Sequence, residues 1–90
     1  MDMRSLDDLL RGLKGRRIRL ILRKGLEAIE NPTSGFVMIG EAKGESRKDT
    51  VEGILTEFYM WTTHKAKYIG RTLGGYNFTI SQDEVEVLMI

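Results

Sequence analysis

The residues in this chain best suited to chemistry are arginines. In Arg16-Arg17-Ile18-Arg19-Leu20-Ile21-Leu22-Arg23-Lys24 the cations Arg17, Arg19 and Arg23 fall on a period of two, with Arg16 and Lys24 at the flanks. A guanidinium is planar and offers paired donors that match the oxygens of a phosphate. Three of them on one face would suit an anionic partner. With aromatic rings nearby (Tyr59, Trp61, Tyr68, Tyr76) they would suit nucleic acid: cations follow the backbone while rings stack bases, at about 1–3 kcal/mol per base. The competing reading pairs these arginines with acidic residues elsewhere in the fold and puts the rings in the core.

Charge is unevenly spread. Residues 1–24 carry eight Lys/Arg against three Asp/Glu, or +5, and residues 25–90 carry six against ten, or −4, within a net charge of +1. A basic front segment marks a surface for an anionic partner, or one that neutralises the acidic remainder.

Other candidates are weaker. His64 is the sole histidine and the chain has no cysteine, so thiolate chemistry is excluded and His64 has no obvious co-ligand or catalytic partner. Glu84 and Glu86 are two apart and would share a strand face, which is also how a wet strand face looks. Gly70-Arg71-Thr72-Leu73-Gly74-Gly75 is rich in glycine but lacks the Lys-Ser/Thr ending of a phosphate loop. It reads as a turn in which Arg71 is free to grip a phosphate. The expectation is a protein that is not an enzyme and uses no cofactor or metal.

The elements that would position these residues follow from periodicity. Leu6, Leu9, Leu10 and Leu13 form one helical stripe after a Ser5 cap, with Asp7 and Asp8 in the first turn, which predicts a short helix over 5–13. Alternation then predicts strands over 16–24, 36–42, 50–63, 76–80 and 84–90. Gly53 inside the third strand signals a bend or a close backbone approach. The polar run 42–49 reads as the connection of a hairpin, 64–67 as a polar exit and 70–75 as a loop. Leu26 to Ile29 reads as a strand extension or a bend. Short connections favour an antiparallel meander. The fold class is therefore mainly β: a short N-terminal helix, then a strongly bent five-stranded antiparallel sheet or small barrel, in one domain over 1–90. No apolar run reaches the roughly 20 residues of a membrane helix. The N-terminus lacks the features of a signal peptide, so a cytoplasmic protein without a membrane role is expected.

The opening Leu6-Asp-Asp-Leu-Leu10, the stretch Lys14-Gly15 through Lys24-Gly25, and Gly53-Ile-Leu55 followed by Phe58 resemble the Sm-like (Lsm) family. There a helix precedes five bent strands, and subunits assemble into RNA-binding rings. The segment between Gly25 and Gly53 is longer than the family's spacing, and Tyr59-Met-Trp-Thr62 stands where the family has Asp-x-x-Met-Asn. The resemblance implies an Sm-like or SH3-like barrel, RNA as partner, and pore-lining positions near Trp61 to His64 and at Arg71. Taken together, the expected role is non-catalytic binding of RNA or another nucleic acid through Arg17, Arg19, Arg23, Lys24, Tyr59, Trp61 and Arg71. The alternative is a protein–protein interaction or assembly subunit. Self-association is expected through Leu88-Met89-Ile90, which can extend a neighbouring sheet.

Overall fold

The computed structural model describes residues 12–44, 48–62 and 65–90. Seven strands run through them: β1 (Arg17–Leu22), β2 (Leu26–Asn31), β3 (Phe36–Glu41), β4 (Thr50–Thr62), β5 (Lys65–Thr72), β6 (Asn77–Ser81) and β7 (Val85–Met89). A 3-10 turn, Gln82–Glu84, leads into β7. All seven belong to one sheet in the order β2-β3-β6-β5-β4-β1-β7.

Alternation sorts the two faces. In β1, Ile18, Leu20 and Leu22 are essentially inaccessible while Arg17 and Arg19 are exposed. The inward set continues through Val51, Leu55 and Phe58 on β4, Tyr68 on β5, Phe78 and Ile80 on β6 and Val85 on β7, with Val37 and Ala28 from the β2–β3 hairpin. A sheet with one apolar face must curl over it or cover it, and this one curls into a half-barrel.

Two glycines and several bulges permit the curl. A Cβ on Gly53 would lie 2.2 Å from the Arg71 carbonyl oxygen, and one on Gly70 would lie 2.2 Å from that of Ile54. Only glycine allows β4 and β5 to approach so closely. The β4–β5 register slips at Thr56 and again between Met60 and Thr62, and the β1–β7 register slips beside Glu86. Each slip adds twist. The backbone entering β4 then ties the ends of the sheet together: the Lys48 carbonyl accepts from Ala28 N at 2.8 Å and that of Asp49 from Leu22 N at 2.7 Å.

Several expectations change. Most of the helix expected over 5–13 lies outside the described residues; Gly12–Gly15 form a turn, with Leu13 in the core. There are seven strands and not five, because Leu26–Asn31 and Lys65–Thr72 are full strands. The sheet is mixed and not a purely antiparallel meander, since β3 meets β6 in parallel at Phe36 and Asn77. Residues 42–49 do not close a hairpin; they connect β3 to β4, which are not neighbours in the sheet. Glu84 sits in the 3-10 turn, where its Oε1 accepts from Ser81 N at 2.9 Å, so it forms no strand pair with Glu86. Among the described residues no helix is long and apolar enough to cross a membrane.

Candidate functional site

The outer face carries one row of side chains that crosses five strands. Arg17 on β1 pairs with Ile54 on β4, Ile54 with Arg71 on β5, Arg71 with Asn77 on β6, and Asn77 with Phe36 on β3. Opposed residues in neighbouring strands share a face, so the row runs guanidinium, aliphatic, guanidinium, amide, aromatic. At about 4.8 Å per strand spacing it spans roughly 19 Å. An open groove of about 780 Å³ lies along this row, floored by Ile54, Ile69 and Thr56 and walled by Phe36, Arg71 and Leu73.

Local sequence explains each position. Phe36 follows the turn Asn31-Pro32-Thr33-Ser34-Gly35. Asn31 Oδ1 accepts from Thr33 N at 2.9 Å and Ser34 N at 3.3 Å, and Gly35 supplies the positive φ of 75° that closes the turn. The Gly35 carbonyl accepts from Asn77 N at 2.9 Å, which docks the hairpin tip on β6 and sets Phe36 beside Asn77. Phe36 remains 46% exposed, unusual for an aromatic with no role in the core. Thr56 is the extra residue of a bulge; its hydroxyl donates to the Ile69 carbonyl at 3.1 Å and shapes the groove floor.

Arg71 is on strand β5 and not in a loop as expected. The tight turn after it, Leu73-Gly74-Gly75, is fixed by Gly75 N donating to the Thr72 carbonyl at 3.0 Å and Tyr76 N to Thr72 Oγ1 at 3.0 Å. The guanidinium of Arg71 is exposed and has no partner among the described residues. Arg17 and Arg19 differ. Both reach Glu52 on β4: Arg17 Nε donates to Oε1 at 2.7 Å, with Nη2 beside it, and Arg19 Nη2 lies 3.5 Å from Oε2. The hydrogen bond from Arg17, reinforced by both positive charges against a smaller opposing effect of desolvation, holds the Glu52 carboxyl below its ordinary range. Two cations sharing one carboxylate leave a surplus of one charge. Arg17, Arg19 and Arg71 therefore stand on one surface around Ile54 and Glu52.

The other expected residues stand elsewhere. Arg23 lies past the end of β1, and its Nε donates to the Asp83 carbonyl at 2.6 Å; it anchors the 3-10 turn. Lys24 is exposed in the following turn. Tyr59 is exposed on β4 opposite Lys67, seven residues along the strand from Glu52, or about 23 Å at strand rise. Trp61 belongs to β4, and its side chain lies outside the described residues, as does His64. Tyr68 is a core residue whose hydroxyl hydrogen-bonds Gln82, and Tyr76 packs at the core's margin; neither ring lies on the basic face. Phe36, Asn77, Ile54 and Ile69 are new members of the site. Their proximity depends on strand order, which a linear pattern does not encode. No family model, no curated protein and no solved structure matches the chain.

Proposed function

We propose that this domain is a non-catalytic module that binds single-stranded nucleic acid, RNA foremost, across its outer face. The observation that carries the reading is the row Arg17–Ile54–Arg71–Asn77–Phe36. A guanidinium with no partner among the described residues and an exposed ring stand on either side of an amide, across a groove with an apolar floor. A base laid against Phe36 gains stacking, Asn77 offers both a donor and an acceptor to the base edge, and Arg71 takes the phosphate. Arg17 and Arg19 extend the track with their surplus charge. The Sm-like resemblance belongs to the proposal as well. If the β2–β3 hairpin is an insertion, the five remaining strands are the number that family carries. The overlong stretch between Gly25 and Gly53 is then where the hairpin sits, and Gly53-x-Leu55-x-x-Phe58 falls on the bent strand β4.

Fluorescence polarisation with mixed-sequence single-stranded RNA and DNA at low salt tests this. Binding in the micromolar range that weakens as salt rises is expected, with losses of about tenfold or more in Arg71→Glu and in Phe36→Ala. No retention at low salt removes the reading. A second reading, a protein partner, draws on the hairpin's exposed Ile29, Met38 and Phe36, the first two directly paired across strands. A contiguous apolar patch of this kind suits a protein surface, and its binding would be nearly indifferent to salt.

A further inference from the structure

We infer that two copies of this chain join through β7, edge to edge and antiparallel about a two-fold axis at Leu88, to make one continuous sheet. The sheet has two edges, β2 and β7. The β2 edge is obstructed, because Ala28 N is already taken by the Lys48 carbonyl of the same chain, and it carries Glu27 and Glu30. β7 pairs only with β1 among the described residues. A bulge and the charge of Glu86 protect its first half, but from Val87 onward it carries no proline, no lysine and no inward charge. Past the exposed Glu86 its exposed residues are apolar, with Val87 42%, Met89 43% and the following Ile90 73% exposed.

Pleating selects the register. Leu88 points inward beside Leu20, whereas Val87 and Met89 point outward beside Ile21 and Arg19. Inward must face inward across a new strand pair. Pairing Leu88 with its own copy satisfies this and sets Val87 against Met89 twice, forming an apolar cluster continuous with Ile21. Centring on Val87 instead would oppose outward Met89 to inward Val85. Charge also favours the isologous pairing. Joining β7 to β2 of another copy would bring Glu86 to an edge that carries Glu27 and Glu30. In the Leu88-centred register the two Glu86 residues are about 14 Å apart, and each lies two strand spacings, about 10 Å, from Arg19 of the other copy. The two-fold axis runs through the sheet, so both outer faces point the same way, and Arg19 of one copy, three strand spacings across and two residues along from Arg19 of the other, is about 16 Å from it.

Sedimentation equilibrium of the full chain without nucleic acid reads this directly, independently of the proposed function. A reversible monomer–dimer equilibrium is expected, weakened about tenfold or more by Val87→Lys, a change at an exposed position that should leave the circular dichroism spectrum intact. Because the native chain has no cysteine, an equal mixture of Val87→Cys and Met89→Cys copies should oxidise to disulfide-linked pairs faster than either variant alone. A monomer mass at hundreds of micromolar, a trimer or larger closed species, a dimer untouched by Val87→Lys, or no preference for the mixed disulfide would each overturn the inference.

Discussion

Glu52→Gln removes the carboxylate that Arg17 and Arg19 share on the proposed binding face while keeping the shape of the side chain. In the native protein Arg17 and Arg19 bridge to Glu52 and Arg71 stands opposite Ile54, two residues along β4, so these four groups carry a surplus of two positive charges; in the variant they carry three. Each phosphate neutralised on a single strand contributes about −0.7 to the slope of log affinity against log salt. Two contacts give a slope of about −1.4 and three give about −2.1. If the two proteins bind equally at 1 M salt, where this contribution vanishes, the variant binds about threefold tighter at ~0.2 M and about eightfold tighter at ~0.05 M. Polarisation of a labelled single-stranded oligonucleotide over that salt range measures both slope and offset. The sign is the decisive part. A variant that binds more weakly, or with the same slope, would mean that the clamped arginines do not meet phosphate and that the basic face serves only to pair with Glu52. Acid titration offers a parallel. The Glu52 carboxyl is held below the ordinary carboxylate range, so its ion pairs persist through mildly acidic pH. Their contribution to stability is present above the ordinary carboxylate value and is lost as pH falls through the lowered one, a dependence Glu52→Gln should lack.

Gly70→Ala should cost about 3 kcal/mol or more in a urea melt, because its Cβ would overlap the Ile54 carbonyl and the Phe78 ring; a loss under ~1 kcal/mol would mean that β4 and β5 have room to part. Tyr68 is buried, and burial pushes its phenol above the ordinary value of 10.0. Its contribution is complete below that value and declines as pH rises through the raised one, so the protein should lose stability under alkaline conditions, and Tyr68→Phe should flatten that decline in pH-dependent thermal melts. Ile80→Ala, at a fully buried position, should cost about 2–5 kcal/mol, a large part of the stability of a domain this size; thermal unfolding of the variant gives the value.

Much of the sheet was legible because its clearest strands alternate without interruption. β1 shows Ile18, Leu20 and Leu22 between arginines, and β4 is dense in β-branched and aromatic residues, so both were placed within a residue or two of their observed bounds. Gly53, a glycine inside a strand pattern, marks a close backbone approach in the sequence and makes one in the fold. β5 was hidden by the same physics. Its inward positions are Ala66, Tyr68 and Gly70, and the glycine required for contact with Ile54 resembles the start of a loop. Arg71, next in sequence, therefore reads as a turn residue although it lies on β5. β2 was obscured because its inward residue is the small Ala28 and its outward face carries Ile29, reversing the usual polarity. The site was less legible than the fold. Arg17 and Arg19 were visible as a pair, but their carboxylate is 33 to 35 residues away, on the neighbouring strand. Phe36 joins the row of Arg71 and Asn77 only because the hairpin tip docks on β6, a parallel contact that alternation does not announce.

The central claim is that the outer-face row meets nucleic acid, and a nitrogen-15 amide titration with a short single-stranded RNA tests it most directly. The account predicts shifts concentrated at Phe36, Ile54, Ile69, Arg71 and Asn77, with smaller ones at Arg17 and Arg19, all fading as salt is raised. Shifts confined to the Tyr59 end of β4, or no shifts at low salt, would contradict it.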